Sequence, residues 1–478
     1  MSHVGILGAG AAAGSLRLPA AAVHAAWGRS GGRGAAAICA SDEDTLTLAW
    51  EAATAALHAA GVDPDLVGHL AWGTTRPPFA EGPSHAYLAT ALSLRSDVEG
   101  ALAAGSTHAG AEALVAAWDA VASGAAPVAL VVASDALLPG LGTGFEPRCG
   151  SGAAALVLGA SGASGASGDT ADTGDTAGGA TLVRRVTRSH PVVDRYRGDG
   201  EPGTREAYDA RLFREEVFLP AVAGVGDALV VGDATRWSLP DPDGRLGAAA
   251  ARRLGATDPP SAAVYTAVGD SGAAAALLGL LPTLATPGPA AMVAYGGGRA
   301  TGVVVDVAAP VAGAAATLDA LAGGREVTYP EALRARGQLE ATGERVEMGL
   351  PPGGAAFVRG NPEMLGLLGG RCVDCGTIST PPSIHPACVG CGGAKLEPVA
   401  LARAGTVQTY VVNHTMPAPF EAPLGLAVLD LDDGARLMLQ ATEPEGLEIG
   451  ASVDLVLRRY AVERGIPVYG FKARVRRA

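Results

Sequence analysis

The sequence predicts a layered α/β fold over residues 1–310, followed by a separate part made of short strands and held by a metal clip. Three observations carry that prediction. Apolar, strand-like runs alternate with Ala-rich helical stretches through the first 310 residues, the pattern left by helices covering a sheet. A segment near residue 105 is echoed near residue 269, which points to a duplicated half. From about residue 356 the character changes, with two CxxC pairs and then several short β-type segments.

Along the chain, "MSHVGILGAG" reads as a first strand ending in glycines. It superficially offers a G-x-G phosphate loop. It opens no clean βαβ unit with a later acidic ribose ligand, so a nucleotide site is not expected. "DEDTLTLAWEAATAALHAAG" (42–61) has an acidic first turn, apolar periodicity and a terminal glycine, and so predicts a helix. "HLAWGTT" (69–75) and "PVALVVASD" (127–135) read as buried strands, and the Gly/Ala/Ser-rich stretch within 159–181 as a flexible surface loop. "GSTHAGAEALVAAWDAVASG" (105–124) and "GDSGAAAALLGLLPTLATPG" (269–288) each run from glycine and a small polar pair into an Ala-rich helix and then a strand. In that register Ser106 and Thr107 fall on Asp270 and Ser271, and both helix N-termini belong near a common pseudo-twofold centre. Residues 311–355 read as a proline-bearing connector, 356–398 as a helix plus metal ribbon, and 399–478 as a small β-barrel of the OB type.

At 478 residues the chain exceeds one typical domain. Its net charge of −13 argues against a nucleic-acid partner. The basic tail "KARVRRA" reads as a solvated strand end, and "VVNHTMPAPFEAPLGL" lacks the basic, aromatic stripe of a nucleic-acid-binding barrel. No apolar run is long and unbroken enough to span a membrane. The N-terminus lacks a basic signal-peptide region, so a cytoplasmic location is expected.

Four of the six cysteines form Cys372-x-x-Cys375 and Cys388-x-x-Cys391, each pair followed by glycine. Two such knuckles supply four thiolates in the tetrahedral arrangement of closed structural Zn²⁺ sites. His385 lies between them, but four cysteines already fill the shell. The expected metal therefore holds a small domain together and does not catalyse.

The blocks "HAAWGRSGGRGAAAICASDEDTLTLAWEAA", "AWGTTRPPFAEGPSHAYLATAL", 105–135, "LPDPDGRLGAAAARRLG" and "VAYGGGRATG" occur in one order. In that order residues 1–310 resemble the thiolase superfamily, on the branch of archaeal-type HMG-CoA synthases and ketoacyl-ACP synthases III. "GTVQTYVVNHT" and "VYGFKAR" make residues 356–478 similar to the zinc-ribbon/OB family that accompanies thiolases as a partner subunit. The resemblance implies a duplicated five-layer thiolase-like fold, then a rubredoxin-like zinc ribbon and the OB-type barrel. It also implies an acyl-CoA or acyl-carrier thioester ligand, a homodimer through the first domain, and a thiolase-type partner.

The family's chemistry needs a nucleophile, a base and an oxyanion hole within a few ångströms. On the family blocks Thr107 stands at the cysteine position, Thr75 at the glutamate, Pro240 at the histidine and Asp270 at an asparagine. Three readings stay open: a pseudoenzyme or scaffold subunit, an acyltransferase using Thr107 or Ser106, and a non-covalent aldolase or lyase drawing on Asp270, His108 or Tyr295. His108 follows Thr107 by one residue, about 100° around a helix, and is not expected to touch it. The resemblance places Trp27 and Arg33 in the CoA-adenine segment. Gly296, Gly297 and Gly298 would let backbone amides approach a thioester oxygen. Arg76 and His85 flank the Thr75 loop as candidate pocket lining. Cys149 and Cys39 read as small buried thiols.

Overall fold

The strand Val4–Ala13 has almost no side chains to hold its covering helix away. A β-carbon at Gly8 would come within 2.8 Å of the Ala56 carbonyl, and one at Gly10 within 2.2 Å of the Ala52 carbonyl. The helix Thr45–Ala60 therefore rests on the strand's backbone, and the apparent G-x-G loop is a close-packing device. That helix begins at a capping box between Asp44 and Thr47 and ends where Gly61 turns left-handed.

The computed structural model describes residues 3–160, 179–207, 209–257, 259–339, 355–416, 422–463 and 465–476. The chain divides into a first unit of residues 1–89 and 94–339, and a second comprising 340–478 with Thr90–Ser93. Nine strands of the first unit form one sheet. Their order is Arg236–Ser238, Gly288–Gly296, Arg299–Val307, Ala180–Ser189, Val4–Ala13, Ser151–Ala160, Val128–Ala136, His69–Thr74 and Glu99–Ala104. The two halves of the sheet meet where Val4–Ile6 pairs with Ala180–Leu182.

The helices Ala109–Ala122 and Ala275–Leu280 share one central core with both halves of the sheet. On the strand Gly288–Gly296 side chains alternate, as pleating requires. Ala290, Met292 and Ala294 enter the central core, while Ala291, Val293 and Tyr295 join Phe213 and Phe218 in a second core outside it. The helix Leu219–Leu229 closes that outer core. Helices and sheet thus alternate around two cores, the mixed α/β layering expected of this part of the chain. The second helical start is shorter than its echo suggested: a 3-10 turn at Gly272–Ala274 leads into Ala275–Leu280, and a further 3-10 turn carrying Pro282 follows.

Residues 311–339, read above as the start of a connector, are built into the first unit. Arg325–Glu326 pairs in parallel with Leu16 and Arg17, and Thr328 caps the helix Tyr329–Ala335 through a box with Glu331. Pro330 sits in that helix's first turn, where a missing N–H is harmless, so the proline is no mark of a linker. The rest of the connector and residues 161–178 of the Gly/Ala/Ser loop lie outside the described residues.

In the second unit Ile378–Ser379, Leu368–Cys372 and Leu396–Ala400 form a three-stranded sheet. Five further strands follow in the order Arg436–Gln440, Leu424–Leu431, Ala404–Asn413, Ser452–Glu463 and Ile466–Val475. The two edge strands come together at one bridge, where the Thr442 amide donates to the Ala473 carbonyl at 2.9 Å. The basic tail is only partly the solvated end expected: Lys472 is buried, with its ammonium 5.2 Å from the Tyr460 ring centre. Among the described residues no helix is long and apolar enough to cross a membrane.

Candidate functional site

Leaving the strand Glu99–Ala104, the chain turns at Gly105, whose φ of 97° favours glycine, and enters the helix Ala109–Ala122. The Ser106 hydroxyl accepts the His108 amide at 3.2 Å, a local bond that starts the helix. The Thr107 hydroxyl donates to the Tyr295 carbonyl at 3.0 Å. A second turn, Tyr295-Gly296-Gly297, is pressed against the first. A β-carbon on Gly296 would stand 2.1 Å from Thr107 Oγ1, and one on Gly297 2.9 Å from Ser106 Cβ. Only glycines allow this contact.

Thr75, Ser106, Thr107, Pro240, Asp270 and Gly297 line one cavity of the first unit, although the sequence spreads them over more than 220 residues. Tyr295 lines it as well, and most of the other predicted residues lie elsewhere. His108 is buried with Nε2 2.7 Å from Thr301 Oγ1 and Nδ1 3.4 Å from Glu112, and burial lowers its pKa, so the imidazole is neutral. The Gly298 carbonyl accepts the His190 amide at 2.6 Å. Trp27 Nε1 donates to Glu146 at 3.1 Å, and Arg33 is exposed. His85 Nε2 lies 3.0 Å from the Leu70 carbonyl, whereas Arg76 does line the cavity. Cys149 is buried, which pushes its thiol up to about 12, and it stays a thiol.

Three charged groups that shape the site were not singled out from the sequence. Arg195 forms an ion pair with Asp270, donates to the Pro242 carbonyl at 3.0 Å and lies 4.6 Å over the Phe145 ring. The other Asp270 oxygen accepts the Gly272 amide at 3.0 Å. Asp270 is thus a clasp holding the second turn, with both oxygens engaged. Asp135 ends the strand Val128–Ala136 fully buried beneath Thr75, taking its hydroxyl at 2.8 Å and the Ala273 amide at 2.9 Å. Asp241, in the cavity wall, accepts the Gly247 amide at 3.0 Å. Burial holds both carboxyls up, to about 6. One signal was available: Asp135 is the charged residue closing the otherwise apolar run "PVALVVASD".

Asp135 gives the fold a pH dependence of definite sign. Its pKa in the folded chain, about 6, lies above the ordinary 3.8. Between those values the folded state holds a proton that the unfolded state has lost. The stability this group contributes is therefore present at low pH and lost as pH rises through about 4 to 6. At about 1.4 kcal/mol per pKa unit the loss is about 3 kcal/mol. The unfolding free energy of the wild type relative to Asp135→Asn is expected to fall by about that amount from pH 3 to pH 7, read from urea midpoints.

In the second unit the Sγ atoms of Cys372, Cys375, Cys388 and Cys391 all lie within 4.8 Å of one another. Tetrahedral thiolates at about 2.3 Å from a metal stand about 3.8 Å apart. The Cys372–Cys391 and Cys375–Cys388 separations of 3.6 and 3.5 Å fit that arrangement. The Gly390 amide donates to Cys388 Sγ at 3.3 Å, and a β-carbon on Gly393 would press on Cys372 and Cys391 Sγ at 3.4 Å. The four sulfurs are close enough together that they could hold one metal ion.

Comparison with known proteins accords with both units. Residues 398–458 match the family model described as the ChsH2 C-terminal OB-fold domain. The chain is 34% identical over 160 residues to the hydroxymethylglutaryl-CoA synthase of Pyrococcus furiosus, covering 33% of this chain and 46% of that protein. It is 35% identical over 171 residues to the Aeropyrum pernix enzyme, again 46% of that protein. The chain thus spans about half the length of the curated relatives it matches. Among solved structures, MvaS in complex with 3-hydroxy-3-methylglutaryl coenzyme A superposes with a TM-score of 0.58 at 21% identity, over 73% of this chain and 94% of that one. The HMG synthase of the curacin biosynthetic pathway, in complex with acetyl donor-ACP, superposes with a TM-score of 0.58 at 19% identity, over 76% and 94%.

Proposed function

We propose that this chain, a thiolase-fold relative of the HMG-CoA synthases with a C-terminal OB-fold domain, binds an acyl thioester beside Thr107 without forming an acyl-enzyme. It acts as a binding or scaffold subunit for a thiolase-type partner. The observation that carries this is the state of the two hydroxyls at the turn. Ser106 accepts a backbone amide and Thr107 donates to a backbone carbonyl, and neither bonds to a histidine or carboxylate among the described residues. An alcohol without an adjacent base is not a nucleophile at neutral pH. The thioester, on CoA or on a carrier protein, would lie between the Ser106–Thr107 and Gly296–Gly297 turns. The four cysteines would hold a structural Zn²⁺, and the first unit would pair with a second copy.

Intact-mass spectrometry after incubation with a panel of acyl-CoAs tests this directly, alongside calorimetric binding. Binding without a mass shift is the expected result. A covalent adduct mapped to residues 102–114 would overturn it, as would absence of binding.

One observation favours a second reading, non-covalent carbon–carbon bond chemistry on a CoA thioester. Asp241, held at about 6 in the cavity wall, is poised to take and return a proton near neutral pH. This reading expects turnover that rises with pH through about 6 and is lost in Asp241→Asn. The scaffold reading expects no turnover in either protein.

A further inference from the structure

Resting on the thioester-binding reading, we infer that Thr75 is the residue that reads the thioester carbonyl, and that it donates to that oxygen only while Asp135 holds a proton. Thr75 lines the cavity and is partly exposed, whereas Asp135 lies fully buried beneath it. The two oxygens of the Asp135 carboxyl are not equivalent. Oδ2 accepts the Ala273 amide at 2.9 Å and the Thr75 amide at 3.4 Å. Oδ1 faces the Thr75 hydroxyl at 2.8 Å and takes no other hydrogen bond among the described residues. A β-carbon on Gly272 would stand 2.2 Å from Oδ2, so the carboxyl is hemmed in on that side. A proton therefore has one place to go, Oδ1, along the line to Thr75.

A threonine hydroxyl has one proton to give. With Asp135 ionised, that proton goes to Oδ1, and Thr75 offers the cavity lone pairs only. A thioester oxygen is also an acceptor, so the two would face each other unbonded, an unfavourable arrangement in an enclosed site. With Asp135 protonated, the acid donates to Thr75, and the threonine turns its own proton into the cavity. The charges around Asp135 belong to two segments. Asp270 disfavours its ionised form and is itself paired with Arg195, while Arg76, beside Thr75, attracts it. On the paired strand Ser151–Ala160 it faces Gly152, which brings no charge. Burial outweighs these and holds the carboxyl up, at about 6. A thioester bound to the protonated form makes Asp135 hold that proton more tightly. Its affinity is thus full below about 6 and falls as pH rises through that value.

The test is calorimetric binding of the full chain to acetyl-CoA and to free CoA, from about pH 5 to about pH 8. The ratio of the two affinities removes the titration of the CoA phosphates, which both ligands share. In the wild type acetyl-CoA should lose about 10-fold relative to free CoA over that range. Thr75→Val, which keeps the shape without the hydroxyl, should give a flat ratio at the wild type's high-pH value. Asp135→Asn should give a flat ratio at the low-pH value, because its amide nitrogen donates to Thr75 while its oxygen keeps the two backbone amides. Asp241→Asn should leave the wild-type change in place. A flat wild-type ratio overturns the inference, as does a change that survives Thr75→Val or Asp135→Asn, or one that disappears in Asp241→Asn. Each of those outcomes leaves the thioester reading standing, since acetyl-CoA still binds. Failure of acetyl-CoA to bind at any pH overturns both.

Discussion

Replacing Arg195 with methionine is expected to destabilise the first unit by about 3–5 kcal/mol, because it leaves the Asp270 carboxylate buried and unpaired. Both partners are enclosed, with side chains 13% and 6% exposed. The guanidinium also ties the Pro242 carbonyl to the Asp270 turn. Asp270→Asn removes the stranded charge, so the double variant Arg195→Met/Asp270→Asn should recover much of the loss. The coupling measured by that cycle separates the pair from simple packing. All five tryptophans lie in the first unit, so tryptophan fluorescence in urea reads this unit alone. Equal losses in the single and double variants would show that the ion pair is not what holds the two segments together.

Stripping metal from the cysteine cluster, or replacing Cys388 with serine, should dismantle the three-stranded sheet of the second unit. Structural zinc contributes about 10–16 kcal/mol in comparable small sites, and this sheet has only five-residue and two-residue strands with little core of its own. Limited proteolysis should open between Cys372 and Cys391 on chelation, while the tryptophan signal stays unchanged. Elemental analysis should find one zinc per chain in untreated protein. A metal-free preparation as protease-resistant as the loaded one would rule out the structural role.

What could be read from the sequence was what is local. The helix within 42–61 announces itself by cap, periodicity and terminal glycine, and it forms as Thr45–Ala60. The two CxxC pairs needed only their spacing to be recognised, and the echo of residues 105 and 269 led to the expectation of two helix starts near one centre, where Thr107 and Asp270 line one cavity. What escaped was non-local. Asp135 meets Ala273 across 138 residues and Arg195 meets Asp270 across 75, so the residues beside either acid do not show which groups it will bond. The same holds for Arg325–Glu326, whose strand exists only because Leu16 and Arg17 offer an edge 309 residues earlier. Asp241 was hidden for another reason: "PDPDG" reads as an ordinary turn.

The strand Val4–Ala13 is an interior strand of the nine-stranded sheet, and the earlier-made of its two sheet partners is Ser151–Ala160, about 140 residues further along the chain. At roughly 5–20 residues per second of synthesis, its edges wait roughly 7–30 s before that partner is made. Until then only the Thr45–Ala60 helix is at hand to shield a segment that is nearly all glycine, alanine and valine. Translation speed between the codons of these two strands should therefore govern how much of this protein reaches its native state and how much aggregates.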